Sequence, residues 1–157
     1  MADRSEYAGL GWRIPPVYFL LALAGCFLLN RLLPVLQLWV GPARWLGAVP
    51  VVIGIALAFR SARAFVRAGT TLRPGGGDST ALVESGPFRY TRNPMYLGLA
   101  LILTGVALML GSLTPLLVVP VFMLLIQRSF IRPEEALLEQ TFGDDFRDYC
   151  RRVRRWI

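Results

Sequence analysis

Residues 95–127 read MYLGLALILTGVALMLGSLTPLLVVPVFMLLIQ, a stretch of the chain without one charged side chain. Its polar break is Ser112-Leu113-Thr114-Pro115, where hydroxyls and a proline mark a tight turn. The flanking apolar runs, 95–111 and 116–127, have no amphipathic alternation that would hide one face and wet the other. Each falls short of the roughly 20 residues that cross a bilayer. They therefore read as a helical hairpin whose edges extend into adjacent residues. This hairpin sets the fold class: all-α, a polytopic membrane bundle.

Working toward the N-terminus, residues 66–94 form a long polar segment containing Gly75-Gly76-Gly77. That glycine run lacks the Lys-Ser/Thr and strand–helix setting of a phosphate loop and reads as a hinge. Residues 45–65 are a second apolar run, with Arg60 and Arg63 near its end and Pro50 as a candidate kink. Trp39 and Trp45 border the 34–44 turn like interface anchors. Residues 14–33 form another span. Ala22-Leu23-Ala24 imitates a signal-peptide cleavage site, but the apolar run is too long and the preceding basic region too weak. Toward the C-terminus, the pattern from Arg128 is helical and amphipathic. Leu137, Leu138, Phe142, Phe146, Tyr149 and Val153 recur at three- to four-residue spacing, with Gly143 as a candidate break. About four transmembrane helices and a C-terminal amphipathic helix result.

Composition agrees. The 157 residues are 55% hydrophobic and 17% charged, with a mean hydropathy of +0.52. A soluble domain this small has too little interior for that apolar load. All 17 basic residues are arginine. Nucleic acid is excluded as a partner, because most of the chain is apolar block; arginine at membrane edges sets topology and meets lipid phosphate. Segment 60–94 holds Arg60, Arg63, Arg67, Arg73, Arg89 and Arg92, and the tail from Arg128 is arginine-rich too. The turns at 34–44 and 112–115 carry only Arg44. The positive-inside rule then puts both termini and the long loop on the cytoplasmic side, in a bacterial inner membrane. Both polar regions share that face.

There is no histidine, which removes histidine acid–base catalysis, histidine metal sites and Ser-His-Asp triads. Cys26 and Cys150 are too far apart in sequence for a CxxC site. No metal is expected.

Two segments carry chemistry. Gly86-Pro87-Phe88-Arg89-Tyr90-Thr91-Arg92-Asn93-Pro94-Met95-Tyr96-Leu97-Gly98 packs arginine and aromatics at the entry to a span. Anchoring alone would explain the aromatics and arginines, but not the two prolines and flanking glycines, which ask for a particular backbone shape. Glu134-Glu135 follows Pro133, which can open a helix and set both acids in its first turn against the dipole.

Together, the 86–98 stretch and the pattern Glu134-Glu135-x-x-Leu138-x-x-x-Phe142-Gly143-x-x-Phe146-x-x-Tyr149-x-x-Arg152-Val153 resemble the integral membrane methyltransferases, the group of isoprenylcysteine carboxyl methyltransferase and the phospholipid N-methyltransferases. The resemblance covers about residues 67–157. It implies one methyltransferase domain over 1–157, with two N-terminal spans in 1–66 and the cofactor loop, hairpin and C-terminal helix in 67–157. It implies S-adenosyl-L-methionine as cofactor, held by Thr80, Ala81, Leu82, Val83, Phe88, Arg92, Asn93, Pro94, Met95, Tyr96 and Glu134. Glu134, Arg132 and Arg128 are the implied catalytic set. The implied partners are a lipophilic acceptor and membrane lipids, and O-methylation of an isoprenylcysteine-like carboxylate is the leading reaction.

The chain departs from the family at two positions. Asn93 stands where the family usually has histidine, so this position can hydrogen-bond but not ionise near neutral pH. Phe130 stands where the carboxyl methyltransferases have an arginine that is thought to hold the acceptor; Arg128 and Arg132 flank it. Phospholipid or other N- or S-methylation is the alternative. Sterol reductases share part of the C-terminal pattern but are far longer. A scaffold without activity would need none of the motif spacing.

Overall fold

A computed structural model of the protein describes residues 15–37, 41–69 and 81–157. Trp39, the Gly75-Gly76-Gly77 hinge and Thr80 lie outside them. Helix α1 spans Pro15–Leu32 and α2 Ala48–Arg67, the latter entered through a 3-10 turn at Gly41–Gly47. Helix α3 is Pro94–Leu110. A 3-10 turn at Thr114–Leu117 leads into α4, Val118–Ile126, then a π-helical turn at Gln127–Ile131 and α5, Arg132–Phe142. Helix α6 is Asp144–Arg152. No strand occurs among the described residues.

Prolines place the irregular turns. Pro50 and Pro120 are each the third residue of an α-helical segment that follows a 3-10 turn. Proline has no N–H and its ring crowds the carbonyl four residues earlier. The chain before it tightens into the 3-10 register, where that carbonyl finds another donor. Pro50 therefore starts a helix rather than kinking one. Pro133 follows the π-helical turn, the opposite adjustment to the same lost donor. Because the π turn keeps the helix continuous, 114–142 is one rod, where the sequence pattern separates a span at 116–127 from a helix beginning at Arg128.

Among the described residues, three helical rods, Pro15–Leu32, Gly41–Arg67 and Thr114–Phe142, are long and apolar enough to cross a membrane. Helix α3 has 17 residues, about 25 Å at a rise of ~1.5 Å per residue. Leu20, Leu21, Phe27, Leu28, Val52, Ile55 and Phe59 are all more than half exposed. In water such a surface would aggregate; facing acyl chains it costs nothing.

Helices α2 and α3 pack antiparallel along a seam of small residues. A Cβ on Gly54 would come within 2.5 Å of the Gly98 carbonyl oxygen, and one on Gly98 within 2.7 Å of the Gly54 carbonyl oxygen. Gly47 meets Gly105 in the same way one heptad away. The backbones touch directly, as small residues permit in membranes. The main core holds Cys26, Ala100, Leu103, Phe122, Ile126, Phe130 and Ile131. Helix α6 turns its apolar face, Phe146 and Tyr149, onto Leu82, Leu138 and Phe142, so it packs on the protein.

Candidate active site

The entry to α3 and the start of α5 face each other at one end of the bundle. Pro94 opens α3 because its missing N–H is needed by no partner there. One turn in, the Tyr96 hydroxyl donates to Glu134 Oε1 at 2.6 Å. Tyr96 also stacks obliquely on Phe130, centroids 6.4 Å apart, and Phe130 meets the edge of Tyr18 at 5.2 Å. Glu134 is thus set among aromatic rings, with no cation paired to it among the described residues. It lies beyond the apolar part of the 114–142 rod. Burial is the main cause that lifts its carboxyl from 4.5 to about 7; the Glu135 charge adds to this and the Tyr96 hydrogen bond opposes it.

Glu135, the next residue, is fully committed. Arg155 grips both of its oxygens, at 2.6 and 3.1 Å, and Arg92 reaches Oε1 at 3.0 Å. Arg92 and Glu135 are only 13% and 15% exposed, so this ion pair is largely screened from water and its geometry matters. Arg92 also donates through Nη1 to the Cys150 carbonyl at 3.3 Å and through its backbone to Arg154 at 2.9 Å. Its Nε is buried with no acceptor. The Asn93 amide donates to the Arg155 carbonyl at 3.0 Å, and Thr91 to the same oxygen at 3.2 Å. Trp156 Nε1 donates to Gln127 Oε1 at 2.9 Å. The extended tail after α6 therefore ties the 91–93 corner to α5 and to the π turn.

The two arginine-rich segments meet at this end, as their shared face requires; Arg152 pairs with Glu84 at 2.8 Å. Tyr96, Glu134, Asn93 and Arg92 come together, with Pro94 and the half-buried Met95 between them. Val83 and Phe88 are buried with Ala64 under the end of α2, Phe88 edge-on to Phe65 at 5.1 Å. Leu82 packs under α6 and Ala81 is half-buried beside it. Arg128 and Arg132 are exposed and make no ion pair among the described residues. Phe130 is a core residue. Sequence reasoning singles out the Glu134-Glu135 pair but misses Arg155 and Trp156: arginine near a membrane edge reads as a topology and headgroup signal, whereas Arg155 and Arg152 are paired with acids. No group of three or more metal-type ligands occurs among the described residues.

Residues 42–145 match the model of a family described as phospholipid methyltransferase. The match includes Asn93, Tyr96 and Glu134 but ends before Arg155. An uncharacterized protein of Haemophilus influenzae is 46% identical over 63 residues, which are 40% of this chain and 100% of that protein. No solved structure matches.

Proposed function

Because the chain belongs to the phospholipid methyltransferase family, and is therefore a membrane methyltransferase, we propose that it moves a methyl group from S-adenosylmethionine to a lipophilic acceptor, with Glu134 as the anchor of the donor. The observation that carries this is the contrast between neighbours. Glu135 has two guanidinium partners, while half-buried Glu134 has only a phenol.

The residues present fit the donor. Its aminoacyl end bears an ammonium and a carboxylate. Glu134 offers a half-buried carboxylate short of a cation, and Arg92 Nε is a buried donor short of an acceptor. S-adenosylmethionine supplies, when bound, a methyl group on a sulfonium sulfur, which leaves by in-line displacement. Glu134 orients the ammonium and Tyr96 holds Glu134 in place. Tyr96 and Phe130 exclude water, so positioning provides much of the rate. The site is taken to face the cytoplasm, from the arginine bias of its loops.

The finer reading is O-methylation of an isoprenylcysteine-like carboxylate. A second reading, N- or S-methylation of a phospholipid or other small molecule, is favoured by one observation: Phe130 is buried in aromatic core, and Arg128 and Arg132 are exposed, so none of these three positions turns a cation toward Glu134 to hold an acceptor carboxylate. Incubation with methyl-labelled donor and membrane lipid extract separates them. A methyl ester releases volatile label in mild alkali, whereas an N-methyl product keeps it. Absence of label transfer to any lipid sinks both.

Glu134→Gln should weaken binding of S-adenosylhomocysteine by at least tenfold in calorimetry, because the ammonium loses its charge partner. Unchanged affinity would remove Glu134 from the proposed role.

A further inference from the structure

The opposite end of the bundle holds a cavity of about 380 Å³ lined by Asn30, Arg31, Gln37, Arg44 and Ser112 among others. It is formed by the C-terminus of α1, the turn before α2 and the α3–α4 turn, all remote from Glu134. It is therefore no part of the methyl-donor site.

Its chemistry is one-sided. Two arginines line it, and neither its wall nor the segments 30–47 and 108–117 contain an acidic residue. Ser112 donates to Asn30 Oδ1 at 2.6 Å. That leaves the Asn30 amide N–H groups without an acceptor among the described residues, adding donors to the same wall. Arg31 sits in the last turn of α1, where free carbonyls favour a cation.

The wall is fixed. Leu113 N–H donates to the Val35 and Leu36 carbonyls at 3.0 and 3.1 Å, and Gln37 bridges to Ser112. Leu36 is held at φ 49°, a conformation costly for leucine that these cross-links maintain. Simple snorkelling would send each arginine separately toward water. Here both, though exposed, line one recess beside exposed Leu32, Leu33, Trp45 and Leu46, and the Arg44 guanidinium lies over the Trp45 ring at 5.6 Å.

We propose that this recess binds a phosphate anion, with Arg31 and Arg44 as its charge partners and the Asn30 amide as a neutral donor. Two sources present that chemistry: the headgroup of an anionic phospholipid, whose chains would lie along the exposed leucines, and free phosphate.

The test measures thermal stability of the full chain. Samples are nanodiscs of phosphatidylcholine alone, nanodiscs containing phosphatidylglycerol, and neutral detergent with inorganic phosphate. The expected result is a higher Tm with phosphatidylglycerol, lost in R31Q/R44Q and retained in R60Q/R63Q, which removes equal charge at the other end. A rise with inorganic phosphate that also needs Arg31 and Arg44 supports the same site with the free ion as source. Should R31Q/R44Q fail to fold, Q37E, which adds a carboxylate to the wall, is expected to abolish the rise. No rise in any sample, a rise that survives both substitutions, or an equal loss in R60Q/R63Q overturns the proposal.

Discussion

Glu134 and Glu135 share a helix turn, yet their environments are opposite. Glu135 is neutralised by Arg92 and Arg155, whereas ionised Glu134 is a net burden on the fold. Its folded value of about 7 lies above the ordinary 4.5, so the folded state holds the proton more tightly. Its contribution to stability is fully present below pH 4.5 and is lost as pH rises through about 7. Glu134→Gln should therefore match the parent in Tm near pH 4.5 and exceed it at pH 8, while binding the cofactor more weakly. A Gln variant that is less stable at pH 8 would contradict this. An ammonium beside Glu134 also favours the carboxylate, so S-adenosylhomocysteine binding at pH 6.5 should release a proton. Calorimetry in buffers of different ionisation enthalpy would detect it, and the release should vanish by pH 8.5. Glu135→Gln is expected to act differently. It strands Arg92 in a largely buried site and should cost about 3 kcal/mol of stability, read by denaturant unfolding. Nothing in the local sequence distinguishes the two acids. What separates them is Arg155, twenty residues away across the Gly143 turn, a contact no local pattern encodes.

Helices were the legible part. Long uncharged runs announce spans because lipid leaves the backbone few other choices, and α1, α2 and α3 lie where those runs are. The amphipathic spacing of Phe142, Phe146 and Tyr149 matches helix on both sides of a break at Gly143, which takes φ 53°, while Val153 lies just past the helix end in extended backbone. Less legible was how helices meet. A membrane span that is apolar all round does not reveal its packing face. Gly47, Gly54, Gly98 and Gly105 look like ordinary span glycines until α2 is laid antiparallel on α3. Their seven-residue spacing on both helices was the available signal. Gly54→Ala should force the backbones apart, since the new Cβ meets a carbonyl oxygen that has no rotamer to escape into. Gly25→Ala is the control, because its Cβ would meet nothing within 4 Å. A large fall in Tm for G54A and none for G25A, measured in the same detergent, is expected; equal effects would mean that the seam is not what joins these helices.

Across the whole molecule, the two ends are closed by different means. The end bearing the phosphate recess is sewn together by neighbouring turns. The Glu134 end is closed by the last five residues, which supply the Arg154 and Arg155 carbonyls to Arg92, Thr91 and Asn93, the Arg155 side chain to Glu135 and Trp156 to Gln127. These bonds span long sequence separations, so the 91–93 corner keeps its shape only while the tail is in place. The α2–α3 seam and most of the main core do not use the tail. Ending the chain after Arg152 should thus abolish S-adenosylhomocysteine binding while the span bundle persists. Hydrogen exchange by mass spectrometry would separate the two effects. Amides at 88–93 and 127–135 should exchange faster in the truncated protein, and those at 98–110 should keep their protection. Loss of protection throughout α3 would instead make the tail a general stabiliser, and the special dependence of the site on it would fall.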